Sequence, residues 1–275
     1  MNQTWAVGWA ALAALVMIGA EQKLPGTVLP RVPGWWGRVV LINLFQVAIA
    51  LVSGLTWNRW LQGSSLFSAG NWSAWVGVGA TYFFSTFVFY WWHRIRHEST
   101  FWWRLAHQVH HSASRLEVLT SFYKHPVEIA LNSVLSAVIC YPLMGCSASE
   151  GAAYTLVIAL AEMFYHWNLR TPRWVGILLQ RPEAHRLHHR RFHHTKNYGD
   201  LPLWDWLFGT YSNPVRADRV VCGFDPEQEH RFGAMLLGRP VDEQRDSEPL
   251  KFSPACFGCA AKLRCTAAKK LRDEP

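Results

Sequence analysis

The chain has 275 residues, enough for one large domain or two small ones. Half of them are apolar and 14% aromatic, while only 17% are charged, below the roughly 25% of soluble domains; this balance points to a membrane, with a soluble all-α protein of buried helices as the alternative. The formal charge of +8 suits either nucleic acid or an anionic membrane surface. Its distribution excludes nucleic acid, because the basic residues lie between apolar runs or in the tail and the aromatic residues lie within and beside those runs.

In chain order, the opening "MNQTWAVGWAALAALVMIGAEQK" reads as a first, rather short spanning helix. It lacks the positively charged start and the small-residue cleavage site of a secretory signal. "VVLINLFQVAIALVSGLTW", Val39 to Trp57, is a second span, and "SAWVGVGATYFFSTFVFYWW", Ser73 to Trp92, a third. Each is about the twenty residues that a bilayer core requires. The aromatic belt at the end of the third is expected to anchor it at the membrane interface. Two further apolar runs, Ile129 to Gly145 and Ala152 to Tyr165, are parted by "CSASEG" and predict a tight helical hairpin that dips into or crosses the membrane. The expected fold is an all-α integral membrane protein with four to five membrane helices.

Lys and Arg set the expected orientation. Nothing before Glu21 is charged, and Lys23, Arg31 and Arg38 fill the first connection. The second holds only Arg59, and Arg94, Arg96, Arg104, Arg115 and Lys124 follow Trp92. This puts the N-terminus outside, the first connection inside and everything after Trp92 inside, with the hairpin tip outside. Six cysteines, Cys140, Cys146, Cys222, Cys256, Cys259 and Cys265, do not make a disulfide framework, since only Cys146 falls near the outer face. The last three begin as C-x-x-C and offer three zinc ligands, with His230 as a conceivable fourth; a basic disordered tail is the expected state.

The histidines carry the chemistry. His93 and His97 form H-x-x-x-H directly after the third run; His107, His110 and His111 form H-x-x-H-H; His185, His188 and His189 repeat it; His166 ends the fifth run. Residues i, i+3 and i+4 share a helix face, so each motif aims its imidazoles one way. Several such faces turned inward can surround metal ions, as helix bundles commonly do. Nine histidines exceed the four of a structural zinc site and suffice for two adjacent ions with room for an exchangeable ligand. Neutral imidazole suits iron, zinc, copper and nickel alike. An all-histidine shell at a bilayer surface favours a redox iron pair over two-metal hydrolysis. His193, His194 and His230 read as surface residues.

The segment from Phe83 to Tyr211 resembles the membrane fatty acid hydroxylase (sterol desaturase) superfamily. The resemblance rests on "YWWHRIRHE", "WRLAHQVHHSASRLEVLTSFYKHPVE", "HWNLRTPRW", "PEAHRLHH" and the closing "NYGDLPLWDWLFGTY". It implies a membrane core with a cytosolic helical cap holding a di-metal site, and oxidation of unactivated lipid C–H bonds with dioxygen and two electrons. The ligands it implies are His93, His97, His107, His110, His111, His166, His185, His188 and His189. His125 also matches a family histidine, as a ligand or a supporting residue. Glu162 stands where members with four full clusters have another histidine. The implied cofactor is a pair of iron ions, with zinc able to stand in on isolation, and dioxygen is the co-substrate.

Glu98, Glu117, Glu128, Glu162, Asn168, Asn197 and Asp200 are candidates to fix the histidine rings through their second nitrogens. Trp204, Asp205, Trp206 and Phe208 read as cap packing with one polar tie. The expected organisation is N-terminal membrane helices over 1–72, the catalytic unit over 73–215, and an extension, partly disordered, over 216–275. With no haem-attachment motif, no iron–sulfur spacing and no dinucleotide fingerprint, electrons must come from a separate reductase, ferredoxin or cytochrome. The expected partners are a lipid substrate and the membrane, and the expected place is a bacterial inner membrane with the cap on the cytosolic side. A non-catalytic metal-binding or transport protein is the alternative; transport calls for ionisable residues inside the spans, which the first three runs almost lack.

Overall fold

The computed structural model describes residues 2–192 and 194–241; His193 and the tail cysteines lie outside the described residues. Their regular elements are all helices, joined by turns and loops, apart from one antiparallel bridge between Arg190 and Cys222. Helix α1, Gln3–Lys23, starts where the Asn2 side chain accepts the Trp5 N–H at 3.0 Å, and it ends just before Pro25 with Lys23 in the last turn, where a cation suits the helix dipole. Helix α2, Trp35–Leu55, follows Gly34, whose φ of 68° is a left-handed turn that glycine adopts without strain. Helix α3, Ala74–Glu98, carries the first histidine pair on its last turns. Residues 100–112 are helical with a π turn over Trp103–His107 leading into α4, Gln108–Ser112.

The predicted hairpin is present. Helix α5, Pro126–Val138, begins with proline in its first turn and continues through a π turn, Ile139–Leu143, that contains Pro142. Helix α6, Ala148–His166, starts at a capping box in which Ser147 and Glu150 satisfy each other's backbone N–H groups. Two short cap helices complete the site: α7, Pro182–His188, and α8, Pro202–Leu207.

Three segments, Gln3–Lys23, Trp35–Trp60 and Pro126–Leu143, are long and apolar enough to cross a membrane. Leu12, Leu15, Val40, Leu41 and Leu44 point outward and are exposed, as suits side chains that meet lipid. The expected third and fifth spans are also long helices, of 25 and 19 residues, but their inward faces are more polar. Helix α3 buries Thr81, Ser85 and Thr86, and α6 carries Glu150 and Glu162. Helix α6 packs against α1 and α3, and α2 packs against α5. Helices able to cross a bilayer and the embedded polar faces between them make this an all-α membrane protein.

One core cluster joins the bundle to the cap. Trp35, Val39 and Ile42 of α2 pack with Trp103, Val109, Tyr123, Ile129, Phe224 and Met235. A fully buried aliphatic side chain there contributes about 1.5–3 kcal/mol. Residues 222–241 therefore form part of the packed body, through Cys222, Phe224, Met235 and Val241. The aromatic belt differs from its expected role as an interfacial anchor. Phe83 and Phe87 pack on Trp204, at 5.4 and 5.0 Å between ring centres, and Tyr90 and Trp91 on Phe208, at 5.3 and 4.8 Å. The rings hold α8 against α3 through tilted, edge-on and stacked aromatic contacts. Asp205 is the polar tie, accepting from the N–H groups of Tyr198 and Gly199 and from the Thr210 hydroxyl.

Candidate metal centre

Nine histidines converge from four places in the chain. Helix α3 supplies His93 and His97 one turn apart; the π turn and α4 supply His107, His110 and His111; the end of α6 supplies His166; α7 and its C-cap supply His185, His188 and His189. They form two groups. One holds His93, His97, His107, His111 and His188, the other His110, His166, His185 and His189, and within each group one nitrogen per ring lies within 4.8 Å of the others.

The division cuts across the motifs. In the first H-x-x-H-H, His107 and His111 join the group of five and His110 joins the group of four. In the second, His185 and His189 join the group of four and His188 crosses to the group of five. The i and i+4 members stay together because they lie one above the other on the helix, and the i+3 member turns to the neighbouring group.

Backbone carbonyls orient the rings. His93 Nδ1 donates to Tyr198 O at 2.7 Å, His188 Nδ1 to Lys196 O at 2.7 Å, His166 Nδ1 to Glu162 O at 2.8 Å, and His110 Nδ1 to Tyr123 O at 3.2 Å. A neutral imidazole that donates at Nδ1 has a bare lone pair at Nε2. The Nε2 atoms of His93 and His188 face each other at 3.1 Å, and those of His110 and His166 at 3.2 Å. Two facing lone pairs repel unless a cation sits between them. Ligand nitrogens about 2.1 Å from one ion and at right angles stand about 3.0 Å apart, so these separations suit ligands on a shared ion. The same pattern recurs at 3.0 Å for His97–His107 and for His166–His185. Both ring nitrogens of His111 are buried without a hydrogen-bond partner. The residues therefore fit two metal ions, one per group.

Burial keeps the rings neutral. Desolvation, followed by the repulsion a charged ring would meet from neighbouring histidines, Arg96 and Lys124, pushes His107, His110, His111, His185 and His189 well below the usual histidine range; desolvation, partly offset by the bond to Lys196 O, takes His188 down to about 3. Neutral histidine is the metal-binding form, so at pH 7 no proton has to be displaced.

Several expected residues stand elsewhere. His125 caps α5: its Nδ1 accepts the Val127 N–H at 3.1 Å and its Nε2 lies 3.2 Å from Leu236 O, so it joins neither group. Glu162 is held at both oxygens by Lys124 Nζ, each at 2.7 Å, and it too is outside the groups. His194 is buried, not on the surface, with its ring centre 4.7 Å from that of His111 and 5.2 Å from that of Trp103; the Tyr198 hydroxyl donates to its carbonyl and fixes the turn.

Among the candidate ring-orienting residues, Glu128 alone contacts a group member directly through its side chain, with both oxygens 3.2 Å from His107 Nδ1 and an ion pair to Arg96. Asn197 acts through its carbonyl, which accepts from Gln180 Nε2 at 2.7 Å, and the Gln180 amide lies 3.5 Å from His185 Nδ1. Asp200 lines the same cavity as Tyr165. Glu98 pairs with Arg94, Glu117 takes Trp35 Nε1 and Arg115, and Asn168 ties the 24–27 connection. Arg96, Gln180 and Lys124, the partner of Glu162, had no signal in the sequence beyond their nearness to histidines.

A cavity of about 140 Å³ opens beside the groups, touching His93, His107, His110, His166 and His185, and continues between the helices past Phe89, Ile129, Ala137 and Ile158 to Gln3 and Asn58. Lys124, Glu162, Tyr165 and Asp200 line its metal end. There burial, with Glu162 close by, lifts the Asp200 carboxyl to about 7.

Comparison with known proteins agrees with this geometry. The sequence profile described as fatty acid hydroxylase matches residues 78–210. The chain is 30% identical over 149 residues to an ornithine lipid hydroxylase of Rhizobium tropici, covering 52% of this chain and 44% of that protein. It is 28% identical over 155 residues to the alkylglycerol monooxygenase of Homo sapiens, covering 55% and 32%. It is 27% identical over 166 residues to the Delta(7)-sterol-C5(6)-desaturase of Nicotiana tabacum, covering 58% and 59%. The chain thus spans about half or less of the first two and under two thirds of the third. No solved structure matches. The matched segment holds every one of the nine grouped histidines, and these matches place residues 78–210 in the fatty acid hydroxylase/sterol desaturase superfamily.

Proposed function

We propose that this protein is a di-iron lipid oxidoreductase that uses dioxygen and external electrons to hydroxylate or desaturate a membrane lipid. The observation that carries the reading is the pair of histidine groups opening onto a cavity that runs between membrane helices. A lipid chain entering from the bilayer would meet the metal end of that cavity. The relatives' names, an ornithine lipid hydroxylase, an alkylglycerol monooxygenase and a sterol desaturase, support lipid as the substrate class.

His93, His97, His107, His111 and His188 would hold one iron, and His110, His166, His185 and His189 the other. The irons would supply the redox chemistry by which dioxygen is reduced: in hydroxylation one oxygen atom enters a C–H bond and the other leaves as water, consuming two electrons and two protons. The chain's own residues do the rest. Carbonyl-bound Nδ1 atoms lock the rings so that little reorganises on metal binding. Glu128 neutralises Arg96 beside His107. Asp200, with its carboxyl lifted to about 7 by burial, can hold a proton at the metal end at neutral pH. Phe89, Ile129, Ala137 and Ile158 give the cavity an apolar stretch against which a lipid chain can lie.

Electrons would come from a separate acidic redox protein docking on the basic cap. The distribution of Lys and Arg supports a cytosolic cap, and the Rhizobium relative suits a bacterial inner membrane. We place the catalytic unit at 73–215. Lipid extracts from cells with and without the intact gene, compared by mass spectrometry, test the function: a lipid carrying one more hydroxyl or one more double bond should vanish with the gene. Identical extracts under aerobic growth would refute it.

A further inference from the structure

A second cavity, of about 230 Å³, lies on the cap side at the ends of α1 and α6 and shares no lining residue with the first. That volume is far above the roughly 10–15 Å³ that one water occupies. Its inner wall includes Arg186, which is only 9% exposed. The guanidinium contacts only neutral acceptors: Leu116 O at 3.3 Å, Asn168 Oδ1 at 3.5 Å and Cys222 Sγ at 3.7 Å. Among the described residues no carboxylate forms an ion pair with it.

The other charges about the cavity do not neutralise it. Glu183 is engaged by Arg181 and by the N–H and hydroxyl of Thr171. Glu21 is engaged by the N–H groups of Asn168 and Val118. Arg170 and Arg216 add two more cations at the exposed rim, against Asp218 alone. A guanidinium taken out of water without a counter-charge is costly, and here it lines an open space large enough for an anion. Arginine's fork matches a phosphate oxygen pair.

The position selects the source of that phosphate. Gly26 and Thr27 follow the end of α1, and Trp167 to Thr171 follow the end of α6, with Trp167 Nε1 tied to Met17 O of α1. The cavity is thus level with the cap-side ends of the membrane helices. Exposed apolar side chains flank it in the chain: Leu24 and Val28 beside Gly26, Trp174 beyond Thr171, and Val215 in the lining itself. Phosphate groups of lipids occupy this level, and their chains would meet those side chains.

We propose that this cavity is a binding site for the phosphate of a membrane phospholipid, held by Arg186 with Arg170 and Arg216 at its mouth, and separate from the cavity that takes the oxidised lipid. The site braces the histidine groups from behind. Arg186 lies on α7 with His185 and His188, and Trp167 directly follows His166. A seated phosphate ties α7 to the connection after α6.

The proposal rests on the membrane setting alone and stands whether or not the chain oxidises lipid. The test uses the full chain in uncharged detergent, with native mass spectrometry and thermal unfolding, and phosphatidylglycerol, diacylglycerol and inorganic phosphate as probes. Wild type should retain one phosphatidylglycerol and melt higher in its presence, and diacylglycerol should do neither. Arg186→Gln and, separately, Arg216→Glu should each weaken that retention roughly tenfold. Arg216 is exposed, so its variant keeps the fold and decides the matter if Arg186→Gln does not fold. Undiminished retention in Arg216→Glu with Arg186→Gln, or in Arg216→Glu alone where the other is unfolded, would overturn the site. A rise in melting with inorganic phosphate equal to that with phosphatidylglycerol would overturn the lipid as its source.

Discussion

His111 and His189 stack face to face, 4.2 Å apart and 13° from parallel, although they belong to different histidine groups. The two groups therefore share a wall. Each H-x-x-H-H motif contributes to both, two rings to one and one to the other, so neither site can form without the helix that serves its neighbour.

This sharing predicts how metal is lost. In the wild-type chain two ions should be found per molecule. His97→Ala and His166→Ala each remove one ligand from one group and should each leave about one ion, measured by elemental analysis against protein concentration. His111→Ala also removes the ring stacked on His189 and should lower both occupancies. Equal loss of both ions in all three variants would contradict the division into groups of five and four.

His125 and Glu162 should be dispensable for metal. His125 caps α5 and Glu162 pairs with Lys124, so His125→Ala and Glu162→Gln should keep two ions. Loss of the cap should cost about 1 kcal/mol of stability, and His125→Asn, which can still accept the Val127 N–H, should restore most of it. Thermal unfolding with parallel metal analysis separates the two effects.

Glu128 has a heavier structural role. Its carboxylate is fully buried against Arg96 and His107. Glu128→Ala leaves a buried guanidinium uncompensated, which costs about 3–5 kcal/mol. Glu128→Gln keeps the shape and loses only the charge, so it should fall between wild type and Glu128→Ala in denaturant unfolding.

Acid should weaken the metal-free fold. Burial holds His107, His110, His111, His185 and His189 far below their unfolded value, with His188 near 3. The unfolded chain then binds more protons than the folded one between about 6.5 and 3, so stability is fully present above 6.5 and falls as the pH drops through that window. Asp200 and Asp205 act oppositely. Burial raises their folded values to about 7 and about 6, so their contribution falls as pH rises from about 4 through those values. Two aspartates set against the many histidines shifted down leave the net slope positive with pH. A metal-free chain that is more stable at pH 5 than at pH 7 would contradict this.

The sequence was legible where its signal was periodic. Hydrophobic runs located the five long helices, and the spacing of the histidines marked out which rings would gather. It was silent where tertiary contacts decide. Nothing in "HQVHH" or "HRLHH" says that the i+3 ring turns to a second histidine group, since helical spacing puts all three on one side; the π turn at Trp103–His107 and the end of α7 at His188 alter the local winding at both motifs. Ring orientation by carbonyls was equally hidden, because every residue has a carbonyl. His194 read as a surface residue, yet a turn fixed by Tyr198 buries it beside Trp103. The aromatic belt resembled a membrane anchor because Trp204 and Phe208, its partners, lie more than a hundred residues later in the chain.

The most direct test supplies purified, iron-loaded chain with membrane lipids, a chemical electron donor and isotopically labelled dioxygen, then follows the lipids by mass spectrometry. The account predicts that one lipid class gains a labelled oxygen atom or loses two hydrogen atoms, that the change needs both dioxygen and electrons, and that His188→Ala abolishes it while still inserting in the membrane. A chain holding two irons that leaves every lipid unchanged, or undiminished turnover in His188→Ala, would contradict it.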